Sequence, residues 1–137
     1  MIRFSKELDY AIQLIVKLAQ LSNEELLSLK SFSESREISF LFLQKIARTL
    51  KSANIITSAR GSQGGYKLAR PPEKITLRDI IEAFEGKYAP VDCLRGKVCK
   101  RRKDCPTRKF SACLHTDILQ VLDKYTVKDI QDIYECK

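Results

Sequence analysis

No stretch of the sequence approaches the roughly 18 consecutive apolar residues of a membrane span, so no membrane-crossing helix is expected. The opening residues Met1-Ile2-Arg3-Phe4-Ser5 run straight into an amphipathic segment. They hold neither a separate apolar core nor a small-residue cleavage site, so a secretory signal is not expected and the expected compartment is the cytoplasm. Internal repeats and low-complexity tracts are lacking. The one histidine, His115, and the scattered carboxylates form no nucleophile–base pair, and no loop has the glycine spacing of a nucleotide site. An enzyme is therefore not expected.

What is present suits a small binding protein. The chain has 137 residues, 44% of them hydrophobic and 31% charged, which fits one globular domain with or without an arm. Five cysteines would suggest a disulfide scaffold only in a secreted chain; in the cytoplasm they point to metal or redox chemistry. The net charge of +8 is unevenly spread. Residues 27–72 carry eight basic and two acidic side chains, and residues 93–109 carry eight basic and one acidic, on an otherwise acidic body. Clustered cations favour a polyanionic partner for the first of these zones.

The pattern predicts a helix from a Ser5 cap to about Leu21, with Leu8, Ala11, Ile12, Leu14, Ile15, Val16, Leu18 and Ala19 spread over more than one stripe. Such a helix is buried on several sides. Ser28 caps a short helix over about 29–35, Arg36-Glu37-Ile38 turns, and Ser39 caps a longer helix over about 40–53 with Leu41, Ile46, Ala47 and Leu50 inward. Two helices joined by so short a turn have helix-turn-helix spacing. Ile55–Ser58 and Tyr66–Ala69 read as strands around a loop with three glycines, giving a hairpin wing. Thr76 caps a helix over 77–85 closed by Gly86, a long loop follows, a helix runs over about 109–125, and Thr126 caps a last helix with Val127, Ile130 and Ile133 inward. The expected fold is mainly α with a small β-hairpin wing. A winged helix-turn-helix fills 1–86, a cysteine-bearing loop 87–108, and a dimerisation helix with a C-terminal helix 109–137.

In a helix-turn-helix the second helix enters the major groove and its N-terminal residues meet base edges. Here those are Ser39, Phe40, Phe42, Leu43 and Gln44. Gln44 suits adenine, Ser39 suits bases or phosphate, and one of the two phenylalanines suits thymine methyls while the other faces the core. Lys45, Arg48 and Lys51 are placed for phosphates, and Ser28 is a further DNA-binding candidate. Arg60, Gly61, Ser62 and Gln63 form the wing tip, where glycine permits close approach to phosphate and arginine suits a narrow minor groove. A palindromic double-stranded operator requires a homodimer, and Leu114, Ile118, Val121, Leu122 and Tyr125 form one apolar stripe suited to pairing with a copy of itself.

Cys93, Cys99 and Cys105 are evenly spaced in the loop. Thiolates bind zinc or iron, and the surrounding cations favour thiolate. The spacing lacks the close cysteine pair usual at zinc sites, but an iron–sulfur cluster, zinc and redox thiols all remain open on spacing alone. Cys113 is expected to be a small buried apolar residue, and His115 is expected to be solvated.

These residues together resemble the winged-helix repressors typified by the iron–sulfur cluster regulator and the nitric-oxide-sensing repressor. The likeness rests on Asp9-Tyr10-Ala11, on Ser39-x-x-Phe42-Leu43-Gln44, and on the wing Arg60-Gly61-x-x-Gly64-Gly65-Tyr66-x-Leu68-Ala69. It continues through Ile75-Thr76-Leu77-x-Asp79-Ile80-Ile81-Glu82-Ala83, the cysteine triplet, and Leu122-Asp123-Lys124-Tyr125-Thr126-Val127-x-Asp129-Ile130. The resemblance implies a homodimer whose DNA affinity follows an iron–sulfur cluster held by Cys93, Cys99 and Cys105. Where one branch places a histidine three residues after the third cysteine, this chain has Arg108. The other branch takes a carboxylate from the partner's first helix, where Asp9 aligns. That set implies a 4Fe–4S rather than a 2Fe–2S cluster. The rival expectations are a cluster-free winged-helix repressor with redox or zinc-binding cysteines, and one governed by a small molecule or a partner enzyme.

Overall fold

The structure, a computed structural model, describes residues 3–60 and 64–136. Helix α1 (Lys6–Ala19) starts where the Ser5 hydroxyl accepts from the Leu8 N–H, one of the orphan donors of a first turn. Its buried residues Leu8, Ala11, Leu14, Ile15 and Leu18 form the spine of the core. Helix α2 (Leu29–Arg36) and helix α3 (Phe40–Ser52) follow, each with a serine cap, Ser28 and Ser39. Between them Glu37 takes the left-handed conformation, φ 54°. The Glu37 and Ile38 N–H groups both return to the Ser33 carbonyl, so the turn is closed by hydrogen bonds despite a non-glycine residue there.

Strands β1 (Ile56–Ala59) and β2 (Gly65–Leu68) pair antiparallel, Ile56 opposite Leu68 and Ala59 opposite Gly65. Leu27 adds a bridge on the open edge, exchanging hydrogen bonds of 2.9 Å with Tyr66 in both directions. Gly65 is required by that approach. A β-carbon there would stand 2.5 Å from the Leu27 carbonyl oxygen, inside any real contact.

Helix α4 (Leu77–Glu85) and helix α6 (Val127–Glu135) each begin with a capping box, Thr76 with Asp79 and Thr126 with Asp129. The two starts are stitched together. The Leu77 N–H donates to the Tyr125 carbonyl and the Val127 N–H to the Ile75 carbonyl, both at 2.8 Å. Helix α5 (Arg108–Lys124) lies against α4, where Arg78 donates to Glu82 within α4 and to Asp123 across the pair. Those two carboxylates, Glu82 first, raise the Arg78 guanidinium above its ordinary value. Helix α6 then packs on α1, and Val127 is fully buried in the same cluster as the α1 and α3 residues.

Four expectations about side chains are corrected. Leu41, expected inward, is 76% exposed, whereas Leu43, expected to face the groove, is fully buried. The inward stripe of α3 is Leu43, Ile46, Ala47 and Leu50, and Leu41, two residues before it, is turned about 200° around the helix. Ile133 is 64% exposed, because the face of α6 toward α1 continues through Ile130 and Tyr134, which border a groove with Ile12 and Val16. Cys113 is exposed rather than buried.

Candidate nucleic-acid interface

The inward stripe of α3 leaves the opposite face to Leu41, Gln44, Lys45 and Arg48, spaced i, i+3, i+4, i+7 and hence one row along the helix. Lys45 and Arg48 are exposed and Gln44 is half-buried. Arg48 makes no ion pair among the described residues. Lys45 Nζ lies 2.6 Å from Glu7 Oε1 on α1, and Lys51 Nζ donates to the Ser58 hydroxyl of β1 at 2.8 Å. Both lysines are thus oriented by neighbours while remaining at the surface.

The two capping serines are exposed. Ser28 Oγ accepts from the Ser31 N–H and Ser39 Oγ from the Phe42 N–H. Each hydroxyl keeps its own proton to donate outward. Of the two phenylalanines, Phe40 is 40% exposed, whereas Phe42 turns toward α1 and meets the Tyr10 ring edge-on, centroids 5.7 Å apart. Phe42 therefore braces α3 on α1 and is the core-facing member of the pair. Arg60 is exposed at the end of β1. Gly61, Ser62 and Gln63 lie outside the described residues. Sequence reasoning missed Glu7 and Tyr10 as supports of α3. Their signal is a helix spacing of three that points both side chains at one neighbour.

The cysteine loop runs between α4 and α5 with a short 3-10 turn at Asp92–Leu94. Cys93, Cys99 and Cys105 are free thiols, each half-buried. The Thr107 hydroxyl, 3.3 Å from Cys105 Sγ, is the first cause that holds the Cys105 thiol below its ordinary range. The Thr107 and Arg108 backbone and the nearby Arg101 charge add to it. Asp9 is exposed on α1 and accepts from the Gln13 amide at 3.0 Å. Within one chain, no three His, Cys, Asp or Glu side chains among the described residues are gathered closely enough to hold a metal. In donor chemistry the loop still suits a soft, anionic metal centre: three thiols beside Arg95, Lys97, Lys100, Arg101, Arg102 and Lys103. His115 is half-buried rather than solvated, its Nε2 lying 2.8 Å from the Tyr88 carbonyl, and so belongs to the packing of α5 on the loop.

Along α5, Leu114 and Val121 are exposed, Ile118 is half-buried, and Leu122 packs against the chain's own core, with Tyr125 exposed at the helix's end. The stripe is thus shared between the domain and the surface. No helix among the described residues is long and apolar enough to cross a membrane.

The chain is similar to known proteins along most of its length. Residues 4–133 match the family described as Rrf2, iron-dependent transcriptional regulator. The protein rrf2 of Nitratidesulfovibrio vulgaris is 31% identical over 122 residues, 88% of this chain and 81% of that protein. The HTH-type transcriptional regulator NsrR of Shouchella clausii is 30% identical over 128 residues, 89% of this chain and 83% of that protein. Among solved structures, CymR, the global cysteine regulator of B. subtilis, superposes with a TM-score of 0.79 at 28% identity, covering 97% of this chain and 98% of that one. T. potens IscR superposes with a TM-score of 0.75 at 30% identity, covering 98% and 89%.

Proposed function

The chain belongs to the Rrf2 family of winged-helix transcriptional regulators, and on that footing we propose that it is a homodimeric repressor that binds a palindromic double-stranded operator and answers to an iron–sulfur cluster. The observation that carries the DNA reading is the division of α3. One face is fully buried through Leu43, Ile46, Ala47 and Leu50, and the other carries the half-buried Gln44 with the exposed Lys45 and Arg48. In this reading Gln44 addresses a base edge, and Lys45, Arg48 and Lys51 address phosphates. Ser28 and Ser39 donate to the DNA backbone, and Arg60 supplies the wing contact. Leu114, Ile118, Val121 and Tyr125 supply the apolar contact with the second copy.

Cys93, Cys99 and Cys105 would hold the cluster, with Asp9 of the second copy as the carboxylate ligand and 4Fe–4S as the favoured type. When bound, it would supply a redox- and nitric-oxide-sensitive link between the cysteine loop and α1. What this chain contributes is the path from Asp9 to DNA. In the same turn as Asp9, Glu7 holds Lys45 and Tyr10 braces Phe42. A displacement of that turn would be passed to the recognition helix through these two contacts. It changes affinity only where DNA favours one arrangement over the other. The signal read is then nitric oxide, oxygen or iron–sulfur status, and the site of action is the cytoplasm.

Because the relatives include CymR, a cysteine regulator, one second reading is kept, in which the triplet acts as redox thiols or zinc ligands. Anaerobic purification with iron, acid-labile sulfide and zinc analysis separates the two. Iron and sulfide near four per subunit, lost in Cys99→Ala and reduced in Asp9→Ala, are expected. Zinc alone, or no metal after attempted reconstitution, overturns the cluster reading and leaves the DNA reading in place. Selection of duplexes from a random library tests the DNA reading itself: enrichment of a palindrome supports it, and no enriched sequence overturns it.

A further inference from the structure

Leu41 is the most exposed large apolar residue of the recognition helix, at 76%. Nothing within the fold calls for leucine there. The core stripe of α3 is complete without it, and every member of that stripe is fully buried. Leu41 does not stand apart from the polar surface either. It heads the row that continues through Gln44, Lys45 and Arg48, in the second residue of the helix, with Phe40 beside it at 40% exposure. A single exposed leucine is ordinary. A leucine at the leading end of a row of phosphate- and base-seeking side chains is placed where a recognition helix first meets base edges. In the major groove the one apolar feature on a base edge is the thymine C5-methyl group.

We propose that Leu41 is a specificity-determining residue that reads thymine methyl groups in the operator, with Phe40 closing the side of the contact. The surrounding charge commits the occupant. Residues 27–72 carry eight basic against two acidic side chains, so the partner that covers this apolar spot is itself a polyanion, and duplex DNA offers methyl groups between its phosphates. Lys45 and Arg48 fix the register, and Gln44 and Leu41 divide the reading, one by hydrogen bonds and one by apolar contact. The inference rests on the DNA reading above.

The test uses the full-length protein and a duplex enriched from a random library by the wild-type chain. Each thymine of the enriched site is replaced in turn by deoxyuridine, which removes the methyl group and keeps every hydrogen-bonding atom. At one or two positions per half-site the wild type should bind about fourfold more weakly, the effect of one methyl group left unburied. Leu41→Ala should bind thymine and uracil equally at those positions while keeping wild-type discrimination at the others. Leu41→Met, which preserves apolar reach, should keep part of the preference. Leu41 is exposed, so the variants should melt as the wild type does. If the wild type does not distinguish thymine from uracil anywhere, or if Leu41→Ala keeps the full distinction, the inference is overturned while the DNA reading stands. If no duplex is enriched, both fall.

Discussion

Glu7 on α1 and Lys45 on α3 are joined by an ion pair of 2.6 Å, 38 residues apart in sequence. The pair places a carboxylate beside the face that would meet phosphate, and it divides the lysine between a fixed position and a free charge. Glu7→Gln should change stability by less than about 1 kcal/mol, as exposed pairs do. It should also bind DNA more tightly, with a salt dependence steeper by up to about one unit in the slope of log K against log salt. Fluorescence anisotropy at several salt concentrations checks both. An unchanged slope would show that Lys45 does not reach phosphate.

Gly65 meets the Leu27 carbonyl where no β-carbon fits. The oxygen belongs to a backbone that is itself paired with Tyr66, so it has little room to yield. Gly65→Ala should destabilise the protein by about 1–3 kcal/mol, the usual cost of overpacking, and disturb the wing. Denaturant unfolding with near-ultraviolet circular dichroism is the measurement. A loss below about 0.5 kcal/mol would mean that the Leu27–Tyr66 bridge shifts freely.

Asp129 ties the start of α6. Its carboxylate accepts from the Thr126 N–H and hydroxyl, both at 2.9 Å, and the N–H bond, the larger cause, holds its pKa below the ordinary 3.8. The unfolded chain therefore takes up this proton first as acid is added. The stabilisation is complete above pH 3.8 and is lost as pH falls through the lowered folded value. The melting-temperature gap between wild type and Asp129→Asn should hold steady from neutral pH to about pH 5 and shrink below 3.8. A gap that grows in acid would contradict the capping assignment.

Val121 is exposed on α5 while its neighbour Leu122 packs on the chain's own core. Val121→Glu should leave the melt of the subunit nearly intact and shift the mass in light scattering from dimer toward monomer. A dimer of unchanged stability would remove the α5 stripe from the interface.

Helix caps carried the local fold in legible form. Ser5, Ser28, Ser39, Thr76 and Thr126 each start the helix expected of them. The phase within a helix was harder to read. Phe40-Leu41-Phe42-Leu43 is apolar throughout and has no period of its own, so the inward residue is decided downstream, where Ile46, Ala47 and Leu50 point back to Leu43. On α6, Val127 and Ile130 were legible as inward, but of the adjacent pair Ile133-Tyr134 it is Tyr134 that continues their face. The Leu27–Tyr66 bridge, the stitch between the starts of α4 and α6, and the Glu7–Lys45 pair are long-range contacts. Local periodicity does not encode them. The cysteine triplet was legible as donor chemistry only, since no single chain brings its members together with Asp9 among the described residues.

The claim on which the rest depends is that the outward face of α3 binds a specific DNA sequence. The direct measurement is a parallel titration of the enriched duplex and a scrambled duplex of equal length, at fixed salt, with wild type, Gln44→Ala and Arg48→Ala. The account predicts that the wild type prefers the enriched duplex by about 10³-fold or more. Gln44→Ala should lose affinity on that duplex alone, and Arg48→Ala should weaken both by a similar factor. Equal affinity of the wild type for the two duplexes, or variants indistinguishable from it, would contradict the account.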